Sequence, residues 1–471
     1  MAEKKEKKER GELKPERPGG FLDFLPKDYL AREKMINTIS GVFRSFGFDP
    51  IETPRVEFLK TLAGEESDTG KNIFYIKSSS DSEPLALPFD HTVPFARLLA
   101  ANPYNAKDRS GIRLPWRRMV VGPVFRGEKP QSGRYRQFYQ IDADIAGSDS
   151  MLADSEIVTM IYRTLTELGV KKFLIRLNNR KILNGLAELA GIKKRKKVSC
   201  ENITREMMHI LDKIDKIGLD GVVKELQKKP ESDFDPAPFL SNKAVDKVRV
   251  YLAIKGTNKE KLNRAKDVFK DILVAKTGIE ELEEILSFLN VLAVPEKFIS
   301  IDFSIARGLD YYTGPVMETV LLEAREFGSI FGGGRYDALV KRFTGENLPA
   351  VGASIGFDRM FAALNHLGLI DNKKQSVADV LVLRLAKDKD AEYFGIAQDI
   401  RACGFNTELC LYPDTTFKNQ FNFALSRGVK YVVICGESEF DSDMVAVKDL
   451  DKRKQVEVKR KNLKDYFNKL K

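Results

Sequence analysis

Arg126, Lys129, Arg134 and Arg136 bracket Glu128, so four cations crowd one short stretch of chain. Guanidinium groups suit phosphate oxygens because their forked donors bind two at once. Directly afterwards, Gln140, Asp142 and Asp144 fall on one side of a period-two pattern, while Tyr139, Ile141, Ala143 and Ile145 fall on the other. A solvated sheet face gives the same alternation. The basic loop shifts the reading: cations beside an acidic floor suit a nucleoside triphosphate meeting an amine or imidazole.

Positioning these groups requires two strands. Val120, Val121, Val124 and Phe125 form the first, Gly127, Pro130 and Gly133 mark a long loop, and alternation resumes at Phe138. Residues 85–97 give a short apolar strand, then Asp90, His91 and Thr92 ahead of a helix with a proline in its first turn. Asp90 and Thr92 are equally suited to capping that helix. A strand over 298–303 leads into Ala306-Arg-Gly-Leu-Asp-Tyr-Tyr-Thr-Gly314, a turn that can project Arg307, Tyr311 and Tyr312 into a pocket. The three glycines before Arg335 let backbone approach a ligand closely. Finally, a strand over 351–355 meets a helix opened by Gly356, whose Phe357, Met360, Phe361 and Leu364 face a core. Arg359 lies in its first turn on a different side; a cation there opposes the helix dipole, so an anion contact explains it better than packing.

These segments carry a resemblance. Phe-Arg-x-Glu-x-Pro-x-x-Gly-Arg-Tyr-Arg-x-Phe-x-Gln over 125–140 resembles the second signature motif of class II aminoacyl-tRNA synthetases in its histidyl-tRNA synthetase form. Residues 48–57 resemble the first motif, which builds the family's homodimer interface, and 352–360 the third. The nonapeptide 306–314 resembles the signature that separates histidyl-tRNA synthetases from other class II enzymes. The resemblance implies ligation of L-histidine to tRNA(His) through a histidyl-adenylate, with ATP as substrate and Mg2+ on its phosphates. By it, Arg126 and Arg307 act as catalytic cations at the α-phosphate, and Arg134 and Arg359 hold the outer phosphates. Glu128 serves nucleotide or metal, and Phe138 stacks on adenine. Asp90 and Thr92 hold the histidine ammonium, Gln140 its carboxylate, and Asp144, Tyr311 and Tyr312 its imidazole. Lys129 and Gln131 are the residues expected to touch the tRNA acceptor end. Three positions depart from the pattern: Pro88 replaces the usual arginine, His91 the usual glycine or leucine, and Asp144 the glutamate of bacterial members.

The expected fold is an α+β catalytic core on a mixed, mainly antiparallel sheet, with a helical insertion and a small C-terminal α/β domain. The expected boundaries are a charged tail at 1–17, core at 18–180, insertion at 181–296, core again at 297–370, linker at 371–376 and the last domain at 377–471. The insertion is read from dense charge and helical periods such as Ile279, Leu282, Leu286 and Leu289. The last domain alternates short strands and helices, predicting a largely parallel sheet that reads the anticodon in the family. Two rival readings share this core: a non-catalytic histidine-binding regulator of an ATP phosphoribosyltransferase, and a pseudo-synthetase module that senses tRNA.

With 471 residues and 43% hydrophobic content, the chain can bury sizeable cores. A formal net charge of +10 favours a polyanionic partner. Cys200, Cys403, Cys410 and Cys435 have no paired spacing, so neither a disulfide framework nor a zinc site is indicated. The first seventeen residues mix five glutamates into a lysine-rich tail, unlike a secretory or mitochondrial leader. Cytoplasmic residence and no membrane association are expected.

Overall fold

Pro26 opens the helix Pro26–Ser45, where its missing N–H costs nothing. Ala31, Met35, Ile39 and Phe43 recur every four residues on its buried face, and Gly47 takes the positive φ that ends it. The computed structural model describes residues 14–63, 72–77, 82–102, 111–130, 134–195, 197–306, 311–372, 374–414 and 416–470.

The strands that follow are β1 (Asp49–Pro50), β2 (Glu57–Phe58), β3 (Tyr75–Ile76), β4 (Leu85–Ala86), β5 (Trp116–Phe125), β6 (Gln137–Ala146) and β7 (Phe173–Asn179). They continue as β8 (Ile299–Ile301), β9 (Pro315–Leu321), β10 (Ser329–Arg335) and β11 (Ala350–Gly356). Eight of them form one sheet in the order β1-β5-β6-β11-β10-β9-β7-β8, and β2-β4-β3 form a small second one. Only the pairings β1/β5 and β7/β8 are parallel. The main sheet is therefore mixed and mainly antiparallel, as expected.

Between β7 and β8 the described residues form six helices, from Arg180–Leu189 to Leu273–Val291. Ser199, Ser241 and Thr257 each cap one of them through a side-chain oxygen. The first and last are tied together at the sheet: Asn179 donates to Glu281 at 2.7 Å, and Lys181 pairs with the same carboxylate.

A second compact unit is built on the chain from Ile370 onward together with Asp23–Asn37. Its strands are β12 (Val380–Val382), β13 (Thr407–Leu409), β14 (Tyr431–Ile434), β15 (Met444–Asp449) and β16 (Lys454–Lys459), in the order β13-β12-β14-β15-β16. The first three are parallel, but β15 and β16 run antiparallel. The largely parallel sheet expected from alternation is thus a mixed one. For β15 and β16 the physical reason is the short connection between Asp449 and Lys454, which permits only a hairpin; β15 also runs antiparallel to β14, a direction that alternation does not encode. Among the described residues no helix is long and apolar enough to cross a membrane.

Candidate active site

The antiparallel register of the main sheet builds the site. Arg118 stands opposite Asp144, Val120 opposite Asp142, and Gly122 opposite Gln140 on β5 and β6. On the other flank of β6, Gly352 stands opposite Asp144, Ser354 opposite Asp142, and Gly356 opposite Gln140. The acidic side chains of β6 therefore rise into a cavity of about 290 Å³. A Cβ on Gly352 would lie 2.0 Å from Asp144 Oδ1, so the carboxylate occupies space that only glycine leaves open.

Asp144 is held from two sides. Its Oδ1 accepts the Tyr336 hydroxyl, and its Oδ2 lies 2.6 Å from the Arg118 guanidinium. That second contact is an ion pair whose N–H is not aligned on the oxygen, so it is Coulombic rather than a good hydrogen bond. Arg118 itself is fully buried and lies over the Phe95 ring at 4.3 Å. Beside it, Gln140 Nε2 donates to Ser354 Oγ, which donates to Asp142 Oδ1. Asp90 caps the helix Thr92–Ala101, accepting from the Val93 N–H at 3.1 Å with Oδ1. Its Oδ2 is buried and unpartnered, as are Asp142 Oδ2 and Gln140 Oε1. Burial pushes the carboxyls of Asp90, Asp142 and Asp144 up to about 6, against the pull of Arg118 and Arg126. A bound cation would relieve that cost.

The cationic side of the cavity is equally fixed. Arg126 Nε donates to the Phe89 carbonyl at 3.0 Å, and its guanidinium lies 5.2 Å from the Phe138 ring centre. Arg134 pairs with Glu128, and Arg359 donates to the Ser329 carbonyl at 2.9 Å. Asp358 accepts the Tyr139 N–H at 2.6 Å, which fastens the first turn of the helix Phe357–His366 to β6. Tyr311 and Tyr312 hang from a turn anchored by Thr313, whose N–H donates to Arg335 O at 2.8 Å. Burial raises both phenols, so they stay protonated donors, and Tyr311 hydrogen-bonds Thr92.

One cavity thus gathers Asp90, Thr92, Arg126, Glu128, Arg134, Phe138, Gln140, Asp144, Tyr311, Tyr312 and Arg359 from separate segments. Lys129 is exposed and does not line it. Arg307 and Gln131 lie outside the described residues. Sequence reasoning missed Arg118 and Tyr336, and placed Asp142 on the acidic face without giving it a role. Each carried a signal: continuing the β5/β6 register outward from the loop brings Arg118 to Asp144. The hydroxyl on Asp144 is that of Tyr336, a residue to which the sequence reading gave no role. His91 also gains an account. Its Nε2 lies 3.2 Å from the Gly122 carbonyl, and burial beside Arg118 lowers its pKa to about 3, so the neutral ring donates to β5.

A family model described as histidyl-tRNA synthetase matches residues 20–360, and one described as anticodon binding domain matches residues 379–470. The chain belongs to the histidyl-tRNA synthetase family. It is 38% identical over 446 residues to a histidine–tRNA ligase of Helicobacter pylori strain J99, covering 94% of this chain and 96% of that one. A histidine–tRNA ligase of Wolinella succinogenes is 37% identical over 448 residues, covering 94% and 95%. Among solved structures, the histidyl-tRNA synthetase of Nostoc sp. PCC 7120 superposes with a TM-score of 0.81 at 30% identity, covering 98% of this chain and all of that one.

Proposed function

We propose that this synthetase-family chain activates L-histidine with ATP and transfers it from the histidyl-adenylate to tRNA(His). The observation that carries the reading is the single cavity with an acidic end sized for a small cation and a cationic end suited to phosphates. The chemistry follows from that polarity. As the histidine carboxylate attacks the α-phosphate, charge grows on the phosphoryl oxygens, and fixed guanidinium groups stabilise it without reorganising. Arg126 supplies one such group, and the sequence motif assigns Arg307 the same role. Arg134 and Arg359 hold the outer phosphates, and Phe138 offers an adenine a stacking face. Asp144, braced by Tyr336 and Arg118, receives an imidazole N–H beside Tyr311 and Tyr312. Another side chain would leave the remaining acceptor capacity of this buried carboxylate unmet, which is how such a site rejects it.

Gln140 takes a revised role. Ser354 has one proton and gives it to Asp142, so Gln140 must meet Ser354 with its Nε2. Oε1 then faces the cavity as an acceptor, which suits an ammonium better than a carboxylate. Mg2+ arrives with the nucleotide, since no cluster of three metal-ligating side chains exists among the described residues. Glu128, which pairs with Arg134, is the cavity carboxylate that would hold it, and it would neutralise phosphate charge when bound. Acceptor-end contacts by Lys129 and Gln131, anticodon reading by the second unit, a homodimer and a cytoplasmic location belong to the same reading. The two non-catalytic alternatives are not favoured: relatives that are histidine–tRNA ligases match over 94% of the chain, and Arg126, Arg134 and Arg359 line one cavity.

Labelled histidine, ATP, Mg2+ and a tRNA(His) transcript test this directly. The protein should transfer label to that tRNA and not to a tRNA of another specificity; a transcript left unlabelled under conditions where the protein is folded contradicts the reading.

A further inference from the structure

Among the described residues, Asp90 Oδ2, Gln140 Oε1 and Asp142 Oδ2 in the cavity wall have neither a hydrogen bond nor an ion-pair contact, and a fourth acceptor, Asp144 Oδ2, is met only by the unaligned Arg118 charge. Asp90, Gln140 and Asp142 are 3%, 7% and 2% exposed, so water does not supply the missing donors in bulk. A buried acceptor without a donor costs free energy, and three in one cavity point to a ligand that brings donors. A primary ammonium brings three. Asp144 is set apart from these three: Tyr336 and Arg118 flank its oxygens, and the reading above gives its remaining acceptor capacity to the imidazole. Asp142 stands between Gln140 and Asp144 on β6, and its charge acts on both Asp90 and Asp144. Ser354 fixes its other oxygen and so fixes the direction of Oδ2.

We propose that Asp142, together with Asp90 and Gln140, binds the α-ammonium of the amino-acid substrate, making it a second carboxylate for that cation. The proposal rests on the histidine-activating reading above. Two carboxylates converging on one ammonium give the α-amino end of the site a stronger grip than a single acid supplies. They also make the amino group a requirement: a substrate lacking it leaves both charges buried and unpaired. Arg118 and Arg126 act on Asp142 through charge, but neither supplies Oδ2 with a hydrogen bond.

The test is a cycle between one protein substitution and one ligand truncation. Histidine and its des-amino analogue 3-(imidazol-4-yl)propanoate are compared on the wild-type protein and on Asp142→Asn, histidine by its KM in ATP–pyrophosphate exchange and the analogue as an inhibitor of that exchange. Asn keeps the Ser354 contact and turns the other atom into a donor. KM for histidine should rise about 10- to 100-fold, the value of one or two hydrogen bonds to charge, while the analogue's inhibition constant moves less than about 3-fold and the KM for ATP is unchanged. An equal change for histidine and analogue, or no change for histidine, overturns the assignment. If the variant does not fold, the wild-type crystal structure with histidine decides. An ammonium nitrogen within about 3.2 Å of Asp142 Oδ2 supports it, and one beyond hydrogen-bond reach overturns it. Absence of exchange in the wild-type protein would instead sink the underlying activity, a distinguishable result.

Discussion

Arg118 has no contact with solvent, and Asp144 is its ion-pair partner. Deleting one member of such a pair leaves the other charge buried alone, a loss on the order of 3–5 kcal/mol. Arg118→Met should therefore lower unfolding free energy by about that amount in urea denaturation. Adding Asp144→Asn to it should restore part of the loss, because the stranded charge is gone. A single substitution costing under about 1 kcal/mol would show that the pair is not what holds Asp144. Much at this scale was legible in the sequence. Arg126, Arg134, Arg359, the acids of β6 and the two tyrosines are specific types at specific spacings, and they meet in the cavity. Arg118 was not, because Arg117-Arg118 reads as surface charge until the strand register places one residue outside, against Glu156, and the other inside. Tyr336 was hidden for a related reason: its ring counts toward an apolar core as readily as toward a site.

At the scale of elements, β10 and β11 matter for what they omit. Their glycines let the backbone run directly beneath the cavity floor. At Gly352 the nearest atoms to an added Cβ include Asp144 Oδ1 at 2.0 Å and the Ala143 carbonyl at 2.8 Å, so neither a side chain nor the backbone can easily step aside. Gly352→Ala should displace the Asp144 carboxylate and raise KM for histidine about tenfold or more, with the KM for ATP nearly constant, since overpacking here costs about 1–3 kcal/mol. Steady-state exchange kinetics measure both; a histidine KM within twofold of the parent would refute this account of the glycine. The sequence reading gave a ligand-admitting role to the three glycines before Arg335. It gave none to Gly352, which admits a neighbouring carboxylate, since that depends on a β6/β11 pairing more than two hundred residues apart. The C-terminal sheet shows the same limit, because alternation marks strands without stating their direction.

For the whole molecule, the arrangement separates two kinds of charge recognition. Within one cavity, buried acids line one end, and Arg126 and Arg134 after β5 and Arg359 at the start of the helix Phe357–His366 line the other, the ends to which we assign a small cation and phosphates. Over the chain, a net charge of +10 favours a polyanion over long distances. Only the first can decide which amino acid is activated, so specificity should be complete before any tRNA is present. ATP–pyrophosphate exchange across the twenty amino acids, without tRNA, measures this most directly. Histidine alone should support exchange, and Arg126→Ala should slow it about 100-fold or more, the loss usual for one fixed transition-state donor. Exchange driven equally by other amino acids, or an Arg126→Ala variant within a few-fold of the parent, would contradict the claim that this cavity selects and activates histidine.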